Sequence, residues 1–132
     1  MTRRRHVGRC LVGGFYLFTG GVHLGIVAAD TNFYRPFAED ALLPFVRDGW
    51  SDVFMAHPGF WGLCLVVGET LLGVLLLLGG GWAKVGWSGV IAFNVLLMLF
   101  GLGFFFWSVP VLAVLVILAA KDWPHLSRGS QP

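Results

Sequence analysis

Between Lys84 and Lys121 the chain runs for 36 residues without one charged side chain. That stretch most constrains the fold. It is too long for a single bilayer crossing, which needs roughly 20 apolar residues, and just long enough for two. Two glycines at Gly101-Leu102-Gly103 provide a tight turn between them. The split predicts helices over about 83–101 and 104–121. Two further apolar stretches of spanning length lie upstream, CLVGGFYLFTGGVHLGIVAA at 10–29 and GFWGLCLVVGETLLGVLLLLG at 59–79. Pro110 falls inside the fourth span, where neighbouring helices can satisfy the carbonyl it frees.

The remaining residues cannot furnish a polar surface. Of 132 residues, 57% are hydrophobic and 12% charged, with mean hydropathy +0.79. The fold class is therefore all-α, an integral membrane four-helix bundle. Arg3, Arg4, Arg5 and Arg9 precede the first span, Lys84 lies between the second and third, and Lys121 and Arg128 follow the fourth. The long 30–58 loop carries Arg35 and Arg47 among five acids. The positive-inside rule then places both termini in the cytoplasm and the loop outside. The domain plan is a basic N-terminus at 1–9, a transmembrane domain at 10–121 and a cytoplasmic tail at 122–132. The tail, DWPHLSRGSQP, reads as a short disordered end.

The Arg-rich start and the Val27-Ala28-Ala29 triplet also fit a cleaved signal peptide. The apolar part exceeds the usual ~7–15 residues and carries a histidine, so the segment is read as a retained span. Within the outer loop, Phe45, Val46, Trp50, Val53 and Phe54 recur at helical spacing, which predicts a short amphipathic helix on the membrane surface or capping the bundle. Cys10 and Cys64 are expected near opposite faces of the bilayer and read as buried small hydrophobes. Most of the six tryptophans fit an interfacial belt.

Few polar side chains enter the spans, so each one carries information. Glu69 sits mid-span, where an acidic residue costs about 3 kcal/mol on insertion scales. Asn94 is central in the third span, and His23 lies slightly outward in the first. Helical spacing puts Gly62 and Gly73 on the Glu69 face. It puts Tyr16, Thr19 and Gly20 with His23, and Trp87, Val90 and Met98 with Asn94. Small residues beside Glu69 mark a packed face rather than a lipid face. Glu69 is thus expected to turn into the bundle toward His23 and Asn94. Two states are open, a neutral acid donating a hydrogen bond or a carboxylate held ionised by protonated His23. Three roles are open as well, one of them contact of Glu69 with a partner subunit. The cluster can lock the helices in register, or Glu69, His23, Asn94, Thr19 and Tyr16 can form a proton relay or a polar contact for a bound small molecule such as a quinone.

The chain has no phosphate-binding loop, dinucleotide fingerprint, metal-ligand motif or Ser-His-Asp arrangement. The RRRH start reads as a topology signal rather than a nucleic-acid site.

Three segments resemble the DoxX family of small four-helix bacterial membrane proteins, including its DoxX-like and DoxD relatives. GGFYLFTGGVHL is similar to the family's Gly-rich first helix with a polar residue near its end. FYRPF is similar to the aromatic-proline segment that follows. GLCLVVGETLLGVLLLLGGGWAKVGWSGVIAF resembles the second-helix signature, a Gly-Glu pair followed by Leu and Gly, a short basic turn and the third helix. Coverage is roughly residues 10–120. The long acidic outer loop and Pro110 depart from the pattern. The resemblance implies a bacterial inner-membrane location. It also implies a role as a subunit of a quinone-linked redox complex with a soluble or membrane oxidoreductase partner. Glu69 is then the family-matching acid and His23 the matching polar residue. No cofactor is intrinsic to the chain, and a quinone is the expected carrier. The alternatives are a small homo-oligomeric transporter or permeability factor, and a purely structural assembly partner.

Overall fold

The computed structural model describes the backbone of residues 2–128 and the side chains of 7–126. The side chains of Arg3, Arg4, Arg5 and Arg128, which helped set the expected orientation, and the end of the tail at 129–132 lie outside the described residues. Helix α1 spans Thr2–Ala29. A 3-10 segment, Thr31–Ala38, is followed by α2 at Pro44–Gly49, which runs on as a π-turn over Trp50–Phe54. Helices α3 (Pro58–Leu78), α4 (Gly80–Leu97) and α5 (Leu102–Arg128) complete the chain. No strand occurs among the described residues.

Four helices are long and apolar enough to cross a membrane, within Val7–Ala29, Pro58–Leu78, Gly80–Phe100 and Leu102–Leu126. Only 17–28% of the core of each is buried inside the bundle. The outward surfaces are dominated by Leu, Val, Phe and Trp side chains such as Leu11, Phe18, Leu78 and Phe106. Such surfaces are stable only against lipid. The chain is a multi-pass membrane protein.

Helices pair through small residues. α1 packs mainly on α3, and α4 packs between α3 and α5. At the α1–α3 crossing the backbones nearly touch. A Cβ on Gly73 would lie 2.7 Å from the Gly13 carbonyl oxygen, and one on Gly62 would meet the Val27 side chain at 2.5 Å. Gly20 likewise fits against Thr70 and Val66. Lipid supplies no hydrophobic drive between helices, so close van der Waals contact does this work. The stripe of Gly62, Glu69 and Gly73 is buried, as its spacing requires.

The boundaries differ from the sequence-based expectation at the α3–α4 turn and at the tail. The α3–α4 turn consists of Gly79 (φ +77°) and Gly80 (φ +57°), a backbone shape that L side chains resist. Helix α4 therefore starts at Gly80, and Lys84 lies inside it with its ammonium 5.4 Å from the Trp123 ring centroid. The α4–α5 turn falls at Gly101 as expected, with φ +139°. The expected disordered tail is helical through Arg128, with Asp122 and Leu126 buried. The ion pair described next holds it. Helix α5 also runs unbroken through Pro110 and Pro124.

At the end of the bundle shared by α1's start, the Gly79 turn and α5's end, Arg9 Nη1 sits 3.3 and 3.4 Å from the Asp122 carboxylate oxygens. The Trp87 indole N–H donates to Asp122 Oδ2 at 2.9 Å. All three residues are buried. Arg9 is thus part of the bundle rather than of a free basic N-terminus, and Trp87 is a core residue rather than a belt residue. Arg9, Tyr16 and His23 of α1 contact Asp122, Asn94 and Glu69 respectively. Both cysteines are free, but Cys10 and Cys64 face outward rather than into the core.

Candidate functional site

Two polar clusters lie on one stripe of α1, seven residues or about 10 Å apart along the axis. The outer cluster centres on His23. Its Nε2 is 3.3 Å from Glu69 Oε2, within ion-pair reach but outside hydrogen-bond geometry. Glu69 Oε2 is consequently buried without a hydrogen-bond partner. On the other side of the ring, Nδ1 and the Tyr34 hydroxyl share a 2.7 Å hydrogen bond. The two rings also stack, with centroids 5.6 Å apart and planes 11° from parallel. The Glu69 side chain is 5% exposed and that of His23 21% exposed, so the pair is sheltered yet reachable at its imidazole edge.

The inner cluster is Asn94 and Tyr16. Asn94 Nδ2 donates to the Tyr16 hydroxyl at 2.8 Å and to the Val90 carbonyl at 2.9 Å. Asn94 therefore ties α4 to α1, and the structure records no contact between it and Glu69. Thr19 points its hydroxyl back to the Tyr16 carbonyl at 3.1 Å, a local helix bond with no part in either cluster. Of the five residues singled out from sequence, the fold brings His23 and Glu69 together, pairs Tyr16 with Asn94, and leaves Thr19 aside.

Tyr34 is the member that sequence reasoning missed. It lies in the loop, 11 residues from His23, with no helical spacing to connect them. Asp30 caps the 3-10 segment by accepting from the Asn32 N–H at 3.0 Å, which turns the chain back over the bundle. Tyr34 enters a slot left by Gly62, where a Cβ would lie 3.2 Å from the ring. Only 1% of Tyr34 is exposed. Burial, and then the charge of Glu69, hold its hydroxyl above the usual tyrosine range. The one available signal was FYRPF itself, an aromatic cluster directly after a span.

The expected amphipathic segment caps this site. Phe54, Phe37 and Trp50 surround the Tyr34 ring at 5.2, 6.0 and 6.5 Å. Trp50 and Phe54 stack at 3.8 Å, and the Trp50 indole N–H donates to the Tyr34 carbonyl at 2.8 Å. Open apolar grooves of about 290 and 460 Å³ flank this cap, and neither is lined by His23, Tyr34 or Glu69.

No family model matches the sequence, and neither curated proteins nor solved structures yield a match.

Proposed function

We propose that the chain is a DoxX-like subunit of a quinone-linked redox complex in the bacterial inner membrane, with both termini cytoplasmic. Its own contribution is a buried acid–imidazole pair, Glu69 and His23, that exchanges protons. The observation that carries this reading is the Glu69 carboxyl oxygen, buried in the bundle without a hydrogen-bond partner and 3.3 Å from the His23 imidazole. Intramembrane ionisable groups are expensive and are retained where they move protons or hold ligands.

The donor set suits a quinone head group. Glu69 Oε2 is an acceptor without a hydrogen-bond partner, and a quinol hydroxyl would approach the pair at the partly exposed edge of His23. A bound quinone supplies two-electron chemistry that takes up or releases protons. The chain's residues do the rest. Glu69 accepts or returns a proton at Oε2, and His23 receives it at Nε2 as general base or gives it back as general acid. The apolar helices around them exclude water. Electrons come from an oxidoreductase partner.

Glu69→Gln and His23→Ala chains, present at wild-type abundance in native membranes, are expected to lower quinone-dependent activity of the complex by about 10²-fold. Unchanged activity would sink the redox reading. A homo-oligomer purified with neither oxidoreductase nor quinone would favour transport, tested by Glu69-dependent flux in proteoliposomes. Loss of abundance alone would favour the structural role.

A further inference from the structure

The His23 ring has two nitrogens, and the fold gives each a different neighbour. Nε2 faces Glu69 and Nδ1 faces the Tyr34 hydroxyl. Only the second direction leaves the spanning region, because Tyr34 belongs to the Thr31–Ala38 segment beyond α1. In the opposite direction the next polar pair is Tyr16 and Asn94, whose Nδ2 donates to the Tyr16 hydroxyl and the Val90 carbonyl. Beyond that pair, Leu76, Val90, Leu115 and Ala119 fill the interior up to the layer of Arg9, Trp87 and Asp122. An apolar layer offers a proton no partner.

We propose that Tyr34 is the gate through which the Glu69–His23 pair exchanges protons with the loop side of the membrane, and that the pair does not exchange with the side of the chain termini. This rests on the reading that the pair exchanges protons, but not on the identity of the redox partner. In the outward direction the Glu69 carboxyl proton passes to His23 Nε2. The Nδ1 proton passes to the Tyr34 oxygen, and the Tyr34 hydroxyl proton passes to loop-side water. A carboxylate facing Nε2–H is left behind, and the reverse sequence restores the acid. One proton crosses, only O–H and N–H bonds change, and no oxidant or reductant is consumed. A small tilt of the imidazole closes the 3.3 Å gap to hydrogen-bond geometry, as catalytic contacts commonly require.

The gate is closed in this structure. Tyr34 is covered by Phe37, Trp50 and Phe54, and Trp50 pins its carbonyl. Release to water therefore requires the Pro44–Phe54 cover to lift. That cover makes no hydrogen bond to the spans in the 44–54 stretch itself, and the nearest tie is the Leu42 N–H to the Leu99 carbonyl at 2.9 Å. The titratable groups around Glu69 are His23 and Tyr16 from α1 and Tyr34 from the loop segment. The buried polar residues Asn94 of α4 and Ser108 of α5 do not titrate.

The test uses the full chain in proteoliposomes sorted by protease access to the 30–57 segment. An external pH jump in impermeant buffer is followed by time-resolved infrared, reading the carboxyl band that Glu69→Gln abolishes. With the loop face outward the band should respond at least about tenfold faster than with the termini outward. Tyr34→Phe keeps the ring and removes the hydroxyl, and should slow the loop-face response to the terminal-face rate. Equal rates from both faces, a response from neither, or an unslowed Tyr34→Phe protein overturns the proposal. Should Tyr34→Phe misfold, the comparison of faces in the unaltered chain decides alone. A loop-face response together with quinone turnover insensitive to Glu69→Gln would reject the redox reading and leave the gate standing.

Discussion

Replacing Asp122 by Leu leaves a buried guanidinium without its carboxylate. In the intact bundle Arg9 Nη1 and Asp122 Oδ2 are 3.3 Å apart, with side chains 10% and 5% exposed. At an effective dielectric near 20 the attraction at that distance is about 5 kcal/mol. Part of the loss is recovered, because Arg9 lies near a helix start and can extend its head group toward the interface. Breaking a buried pair from one side costs about 3–5 kcal/mol in measured cases, and that is the expected loss. The Trp87 indole N–H also loses its acceptor, which contributes about 1–3 kcal/mol of the total. Arg9→Leu combined with Asp122→Leu removes both charges of the pair and leaves the Trp87 indole without its acceptor. The double variant should therefore be more stable than Asp122→Leu alone, with a coupling energy of at least about 2 kcal/mol. The assay is a reversible denaturation cycle in mixed micelles on all four proteins. Additive single-variant losses, with coupling near zero, would refute the claim that this pair joins α1 to α5.

Gly73→Leu should force α1 from α3 at the Gly13 carbonyl and destabilise the bundle by about 1–3 kcal/mol, read in the same micelle assay. Gly101→Ala places a side chain at φ +139° with its Cβ 2.8 Å from the Asp40 carbonyl oxygen, and should cost about 1–3 kcal/mol while leaving the lengths of α4 and α5 unchanged by amide exchange. Tyr34→Phe should lose about 0.5–1.5 kcal/mol near neutral pH through the missing hydrogen bond to His23. Because the folded chain holds the Tyr34 proton more tightly than the unfolded chain, the tyrosine's contribution is full below the ordinary value of 10.0 and falls as pH rises through it. The stability gap between the two proteins should accordingly narrow above that pH, and a gap that widens there would contradict the burial of the hydroxyl.

Much of the architecture is local in origin and so was legible along the chain. The 36-residue uncharged run had to divide, and Gly101-Leu102-Gly103 supplied turn chemistry near its middle, with the turn falling at Gly101. The Gly62–Glu69–Gly73 stripe announced a packed face because helical spacing alone places those residues together. The amphipathic spacing of Phe45 to Phe54 gave the cap. The meeting of His23 with Glu69 was within reach as well, because antiparallel spans order residues by depth.

What the sequence could not reveal depends on contacts between distant segments. Tyr34 reaches His23 because the chain reverses after Asp30 and because Gly62 leaves room for a ring. Asn94 chose Tyr16 over Glu69, a choice set by side-chain reach once α4 had docked. Arg9 read as a topology charge and Asp122 as part of a loose tail, yet they are 113 positions apart and bind each other inside the bundle. The sequence by itself determined that this protein crosses a membrane four times and buries an acid, because an uncharged run must be solvated by lipid and a mid-span carboxylate must turn inward. Tertiary structure alone decided which groups surround that acid. A hydrogen bond needs its partners within about 3 Å, and no periodicity along the chain encodes that distance.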